Sequence, residues 1–215
     1  MSTADRRSQS SLRSDLTRLL IMGPPGAGKG TQATAVAARL QVPAISTGDM
    51  FRALQHASTP LAVKVRTIMA GGGYVDDATT NAIIADRLAG TDCTDGFLLD
   101  GYPRTLSQVA YLDELLAETG TRIDAVLSLH ADEDEVVTRL VARGQQSGRS
   151  DDTAETIRTR LAVYAEQTAP LIETYRRRGL LLPVDGIGAV EEVGERIAAA
   201  LRAQADLVQS TSSTS

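Results

Sequence analysis

The chain of 215 residues has no tryptophan, one cysteine and two histidines, and only 3% of its residues are aromatic. So few rings exclude a platform for stacking single-stranded nucleic acid, and a net charge of −5 opposes binding to nucleic acid or acidic membranes. The lone Cys93 cannot form an intramolecular disulfide, and no cysteine spacing typical of structural zinc occurs. No apolar run approaches the roughly 20 residues that span a bilayer. We therefore expect a cytoplasmic globular protein that binds neither nucleic acid nor membrane.

The two ends of the chain are polar. The first fifteen residues are rich in serine and arginine, and residues 210–215 are all serine or threonine. We expect a disordered extension over 1–16, one folded domain over 17–203 and a disordered tail over 204–215. A transit peptide at the start is a less favoured alternative because the extension contains acidic residues.

The sequence GPPGAGKGT over residues 23–31 is typical of a phosphate-binding loop, although Gly30 stands between Lys29 and Thr31. An apolar run over 19–22 precedes it and an alanine-rich run over 33–40 follows, so the segment joins a strand to a helix. Glycines let backbone N–H groups approach phosphate oxygens, and the helix N-terminus favours an anion. Lys29 would reach the β- and γ-phosphates, and Thr31 would meet Mg²⁺ or a terminal phosphate. The alternative is a glycine-rich turn that happens to carry a lysine.

Five short apolar runs alternate with helical patterns, which predicts a three-layer α/β fold of the P-loop NTPase kind with a parallel sheet. A helical insert follows the second strand, with Thr47 as the expected helix cap, and Pro170 is expected to kink a long helix over 154–178. The closing helix is predicted over 190–201. The five predicted strands span 19–22, 42–46, 97–99, 125–129 and 180–184.

Ligands of such sheets bind beyond the carboxyl ends of the strands. Asp100 ends a buried strand, where a carboxylate orders the magnesium shell through water; an ordinary helix cap is the alternative. Arginine grips phosphate oxygens with a planar fork, although any single arginine is as readily a solvated surface charge. We interpret His56 and His130 as structural. The strand ends carry Gly23, Ser46, Asp100, His130 and Asp185, and the candidate arginines are Arg52, Arg104, Arg139, Arg143, Arg149 and Arg160.

From about Leu19 to Leu201 the chain resembles the adenylate kinases. Five segments carry the resemblance in the family's order: GPPGAGKGTQ at 23–32, ISTGDMFR at 45–52, LLDGYPRTLSQ at 98–108, GRSDDTAETIRTRL at 148–161 and TAPLIETY at 168–175. The resemblance implies a monomer that binds ATP, AMP and ADP, with Mg²⁺ accompanying ATP. It also implies an insert over about 46–75 that closes over AMP and a lid over about 143–152 that closes over ATP. Closure would expel water from the site.

The resemblance also assigns roles to individual residues. For ATP it implies binding by Gly26, Ala27, Gly28, Lys29, Gly30, Thr31, Arg139, Arg143 and Gly188, with Arg139 on the adenine. For AMP it implies binding by Thr47, Arg52, Gly73, Tyr74, Val75, Gly101, Tyr102, Pro103, Arg104, Gln108, Arg149 and Arg160. The expected catalytic set is Lys29, Arg104, Arg143, Arg149 and Arg160, and the expected metal ligand is Asp100, through water.

Three features depart from the family pattern. The lid is short and lacks the zinc cysteines of some relatives, so zinc is not expected. Tyr102 replaces the common Phe, which is conservative unless its hydroxyl is buried without a partner. The polar ends of the chain have no counterpart in the family pattern.

Two rival functions remain open. A pyrimidine monophosphate kinase shares the fold, but Thr47 and Gln108 suit adenine, whereas those enzymes usually carry Ala and Asn there. An ATP-binding module without transfer activity has no reason to keep Arg52, Arg104 and Gln108.

Overall fold

The computed structural model describes residues 16–54, 57–132, 135–140 and 153–212, with the backbone alone at 154, 211 and 212. The predictions for the N-terminal extension up to residue 15, for His56 and for the lid over 143–152 lie outside these residues. None of the helices described is both long and apolar enough to cross a membrane.

Five parallel strands form one sheet in the order β2-β3-β1-β4-β5. Strands β1, β3 and β4 are almost wholly buried, as expected for a sheet covered on both faces. The sheet confirms the predicted parallel α/β fold. The strands are β1 Arg18–Met22, β2 Ala44–Ser46, β3 Phe97–Asp100, β4 Ala125–His130 and β5 Leu181–Asp185.

Helices cover both faces of the sheet. A 3₁₀ turn, Thr91–Cys93, precedes β3, and a π turn, Tyr164–Thr168, joins two helices in the second half. The helices are α1 Lys29–Leu40, α2 Thr47–Leu54, α3 Pro60–Ala70, α4 Asp77–Leu88, α5 Leu106–Ala117, α6 over 135–140, α7 Ala154–Val163, α8 Ala169–Arg177 and α9 Val190–Ser212.

Alternate side chains of β1 belong to two separate cores. Leu19 and Ile21 pack with α1 and α9, whereas Leu20 and Met22 pack with α4, α5 and α8. This period of two follows from the pleat of a strand. The result is three layers, helix on sheet on helix, with the carboxyl ends of all five strands along one edge.

The insert after β2 has a small core of its own. Phe51, Val65 and Val75 are buried together, apart from the two main cores. Within the insert, Thr59 caps α3 by accepting the Ala62 N–H at 3.2 Å. A separate core suits a unit that shifts relative to the sheet.

The start of α2 corrects one prediction. Thr47 does not cap the helix: Ser46 Oγ accepts the Asp49 N–H at 3.3 Å, and Thr47 is the first helical residue. The Thr47 hydroxyl instead donates to the carbonyl of Gly101 at 2.9 Å. A neighbouring strand end therefore competes with the local backbone for this hydroxyl.

The long helix predicted over 154–178 is helical throughout 154–177, with an irregular turn near Pro170. A π turn spans Tyr164–Thr168, immediately before Pro170 in the first turn of α8. Proline lacks an N–H and its ring clashes with the carbonyl four residues earlier, so the hydrogen-bond ladder widens there.

The closing helix is longer than predicted. It runs to Ser212, so residues 204–212 are helical and the prediction of disorder over this part of the tail is wrong. Buried Ala205 belongs to the main core and Val208 packs against it, which extends the amphipathic face beyond Leu201. At the other end, Leu16 is buried in the same core, so the folded domain includes residue 16.

Candidate functional site

The phosphate loop lies between β1 and α1, as predicted. Gly26 has φ of +88°, and a Cβ there would lie 2.9 Å from Leu140 Cγ and 2.9 Å from the carbonyl oxygen of Val136. A side chain is therefore excluded by both conformation and space. Buried Ala27 is held in the turn by its N–H, which donates to the Pro24 carbonyl at 3.2 Å. Gly28, in the left-handed conformation, precedes the first residue of α1.

The side chain of Lys29 folds back over this loop. Its Nζ donates to the carbonyls of Gly23 and Pro24, both at 2.8 Å. The first turn of α1 contains no acidic residue. An ammonium group and a helix N-terminus therefore add their positive charge at the same place, which is the electrostatic requirement for a phosphate chain.

Two clefts open along the edge formed by the strand ends. The loop cleft lies against α1 and is bounded by Asp100 and Arg139. The insert cleft lies between the insert and the sheet and is bounded by Phe51 and Tyr164. Of the predicted residues, the loop cleft is lined by Gly26, Gly28, Lys29, Gly30, Thr31, Arg52, Asp100, Gly101, Arg104, Arg139 and Arg160. The insert cleft is lined by Lys29, Thr47, Arg52, Gly73, Tyr74, Val75, Gly101, Tyr102, Pro103, Arg104, Gln108 and Arg160.

Four cationic side chains, of Lys29, Arg52, Arg104 and Arg160, line both clefts. They come from four separate parts of the chain, namely α1, α2, the turn after β3 and α7, and the tertiary fold brings them together between the two cavities. A group of four cations beside a phosphate loop can neutralise the charge of phosphates that enter from both sides.

Arg104 is held by several contacts. Its Nε donates to the carbonyl of Gly101 at 2.6 Å, and its guanidinium lies 4.5 Å from the centre of the Tyr74 ring. Gly101, with φ of +81°, permits this approach because a Cβ there would lie 2.8 Å from Arg104 Nη2 and 2.7 Å from Thr47 Oγ1. The contacts orient the fork of Arg104 before any ligand binds.

Two candidate base-binding residues, Thr47 and Gln108, lie in the insert cleft and are each only 2% exposed. Gln108 Oε1 accepts the Arg104 N–H at 2.7 Å, and its Nε2 donates to Asp77 Oδ1 at 2.7 Å. The hydroxyl proton of Thr47 is directed to the Gly101 carbonyl. Both side chains are therefore oriented by the protein itself.

The hydroxyl of Tyr102 is buried but has partners. It donates to Asn81 Oδ1 at 2.7 Å and lies 3.3 Å from the carbonyl oxygen of Gln108. Burial raises the pKa of Tyr102 well above its usual range, so the group stays neutral. The hydroxyl is therefore not buried without a partner, so Tyr102 is a conservative replacement for the common Phe. Burial likewise raises the pKa of Tyr164, in the insert cleft, to about 12.

Asp100 and Thr31 both line the loop cleft, and their oxygens suit a magnesium ion carried in with phosphates. Asp100 Oδ2 lies 3.5 Å from the position that a Cβ of Gly30 would take, which puts the carboxylate against the first turn of α1. Among the described residues, no three or more His, Cys, Asp or Glu side chains group to hold a metal. Mg²⁺ needs no such cage, because one carboxylate, phosphate oxygens and waters suffice.

Arg139 joins the loop cleft to the segment after β5. Its Nη1 donates to the Gly186 carbonyl at 3.2 Å, and its Nε is paired with Glu135 at 2.8 Å. Gly186 lies close to the phosphate loop, since its Cβ would come 3.3 Å from the Ala27 carbonyl oxygen. Gly188 follows in this segment with φ of +119° and lines neither cleft. Arg143 and Arg149 fall outside the described residues.

Other residues of the clefts were not predicted individually. Phe51, Met69 and Tyr164 supply apolar or aromatic walls, and their helical periodicity alone does not distinguish a cleft wall from a core. Thr168 donates to the Arg104 carbonyl at 3.1 Å and bonds the Tyr74 hydroxyl at 2.9 Å. The only feature of the sequence that pointed to Thr168 was its position at the start of the segment TAPLIETY.

A parallel sheet with a phosphate loop after β1, and two clefts that share four cations, place the chain among the phosphate-loop nucleotide-binding proteins. A family model described as adenylate kinase matches residues 21–180. An adenylate kinase of Clavibacter michiganensis is 56% identical over 186 residues, which cover 86% of this chain and 93% of the relative. Similar proteins of that name come from Leifsonia xyli, 54% identical over 85% of this chain and 92% of the relative, and from Thermobifida fusca, 51% identical over 87% of this chain and 100% of the relative. The chain belongs to the adenylate kinase family.

Proposed function

We propose that this protein reversibly transfers the γ-phosphoryl group of Mg-ATP to AMP and gives two molecules of ADP, in the cytoplasm and as a monomer. The observation that carries the proposal is that Lys29, Arg52, Arg104 and Arg160 line both clefts. Transfer between two nucleotides needs one phosphate group to meet another, and cations between the clefts offset the repulsion. A protein that only binds ATP has no use for the second cleft.

In this proposal the loop cleft holds ATP. The N–H groups of Gly26 to Thr31 bind the phosphates, and Lys29 exchanges its bonds to the loop carbonyls for bonds to phosphate oxygens. Arg139 packs on the adenine beside the segment that contains Gly188, and its bond to the Gly186 carbonyl supports this role. Arg143 and Arg149 complete the set of phosphate ligands by resemblance.

The Mg²⁺ that accompanies ATP would offset the negative charge of the phosphates. Asp100 would hold it through water and Thr31 through its hydroxyl. No zinc is required in this proposal.

AMP occupies the insert cleft. Arg52, Arg104 and Arg160 bind its phosphate, and the backbone of Gly73 to Val75 and of Gly101 to Pro103 lines its nucleoside. Thr47 supports adenine as the base, because its proton is used by the Gly101 carbonyl and its lone pairs remain as acceptors for an amino group. The insert and the lid would then close and exclude water from the reacting phosphate.

The first test is a coupled assay of ADP formation with Mg-ATP and AMP, CMP, UMP or GMP in turn. Clear preference for AMP supports the proposal. Preference for CMP or UMP would keep the phosphate chemistry and overturn the assignment of Thr47 and Gln108 to adenine. ATP binding without ADP formation from any of the four would favour an inactive module.

A further inference from the structure

Asp77, at the start of α4, contacts the side chain of Gln108 in the insert cleft. The amide of Gln108 has a hydrogen-bond donor at one end and an acceptor at the other. Asp77 Oδ1 accepts from Gln108 Nε2 at 2.7 Å, and Asp77 Oδ2 accepts from the hydroxyl of Thr105 at 2.9 Å. Thr105 is itself held in place because it caps α5, accepting the Gln108 N–H at 3.1 Å. Both oxygens of Asp77 therefore have a defined partner.

An unrestrained glutamine cannot distinguish two kinds of purine. Adenine presents an amino donor at position 6 and an acceptor at N1, whereas a 6-oxopurine presents an acceptor at position 6 and a donor at N1. The amide of glutamine has a donor at one end and an acceptor at the other, so a half-turn of the amide converts a reader of one base into a reader of the other. Selectivity requires that this half-turn be blocked.

Two groups block it here. A carboxylate only accepts hydrogen bonds, so Asp77 requires the Nε2 end of Gln108, while the N–H of Arg104 only donates and requires the Oε1 end, at 2.7 Å. Reversing the amide would oppose donor to donor and acceptor to acceptor in a site where Gln108 is 2% exposed. The contact with Asp77 uses one hydrogen of the Gln108 amide and the contact with Arg104 uses one lone pair, which leaves one hydrogen and one lone pair for a ligand.

We propose that Asp77 is a specificity-positioning residue: together with the N–H of Arg104 it fixes the amide of Gln108 in one orientation, so that the insert cleft selects a 6-aminopurine over a 6-oxopurine nucleotide. The inference rests on the proposed function, in which Gln108 meets the base of AMP. Asp77 itself touches no substrate in this assignment and acts through Gln108.

The neighbouring residue supplies a matched control. Asp76 is also a carboxylate at the start of α4, where it caps the helix by accepting the Thr79 N–H at 3.0 Å and pairs with Lys64 at 2.6 Å. The structure records no bond between Asp76 and Gln108. A loss of helix stability affects variants at both positions, whereas a loss of amide orientation affects variants at Asp77 alone.

The test compares AMP with inosine 5′-monophosphate, which carries the 6-oxo group and the N1 proton but no 2-amino group to clash. The ratio of kcat/KM for AMP to that for inosine monophosphate is measured with saturating Mg-ATP for wild type, Asp77→Ala, Asp77→Asn and Asp76→Asn. We expect Asp77→Ala to lower the ratio by about tenfold or more. Asp77→Asn, which can accept or donate, lowers it by less, and Asp76→Asn leaves it unchanged.

Equal losses of kcat/KM with both nucleotides in the Asp77 variants would indicate a purely structural role and overturn the inference, as would a ratio within about twofold of wild type in both. If Asp77→Ala does not fold, Asp77→Asn decides, because it keeps the size of the side chain. A wild-type enzyme with no activity on AMP would refute the proposed function instead, so the two failures are distinguishable.

Discussion

Removal of the Tyr102 hydroxyl tests how this chain accommodates a tyrosine in the turn after β3. In Tyr102→Phe, Asn81 Oδ1 loses its bond of 2.7 Å, and Asn81 is only 9% exposed, so water replaces that bond poorly. A buried acceptor left without a partner costs about 1–3 kcal/mol. Since the ring still fills its space, we expect unfolding free energy to fall by about 1–2 kcal/mol, or about 2–8 °C in Tm.

The assay is urea denaturation followed by far-UV circular dichroism, because the chain has no tryptophan to report unfolding. Asn81→Leu and the double variant complete a cycle. With both polar groups gone, no acceptor is orphaned, so the double variant should be more stable than the sum of single effects predicts, by about 1 kcal/mol.

The kinetics of Tyr102→Phe provide the internal control. The ring that lines the insert cleft is retained, so kcat/KM for AMP should stay within about twofold of wild type. A stability loss below about 0.5 kcal/mol, or additive effects in the cycle, would refute the view that the buried bond to Asn81 supports the tyrosine.

Three further predictions concern the charged groups. Lys29→Ala should lower kcat by more than about tenfold, or 1.4 kcal/mol, with an unchanged circular dichroism spectrum and with the exposed Arg39→Ala as control; retention of more than a tenth of kcat would contradict its role. Arg104→Ala should mainly raise KM for AMP, and raise it more than KM for ATP, in initial-rate kinetics; an unaltered AMP dependence would count against its place on the AMP phosphate. Hydrogen bonds from Lys64 and from Thr79 hold the pKa of Asp76 well below its usual range. The contribution of Asp76 to folding stability is therefore fully present above its unfolded-state pKa near 4, and it is lost as the pH falls through the lower pKa of the folded state. Asp76→Ala should therefore cost about 1 kcal/mol at pH 7 in urea denaturation, as for a lost helix cap, and a difference from wild type that did not shrink in acid would exclude the charged contact as its source.

Local patterns in the sequence were enough to predict the sheet, the phosphate loop and the edge where the site lies. Apolar runs bounded by turns specify buried strands, and the glycines around Lys29 specify a backbone that only glycine adopts readily. Because parallel strands end along one edge, Gly23, Ser46 and Asp100 could be brought together without coordinates. These inferences need only the conformational preferences of neighbouring residues.

Contacts between distant parts of the chain could not be read in this way. The hydroxyl of Thr47 bonds a carbonyl 54 positions away rather than its own helix, and Gln108 bonds a carboxylate 31 positions away. The last helix continues past Leu201 because Ala205 and Val208 find space against the sheet. Such choices depend on which competing partner the packed core brings within reach, and periodicity carries no information about it. The tertiary structure alone decided that Asp77 orients Gln108 and that four cations meet between the clefts, since only packing sets the distance between groups so far apart in sequence.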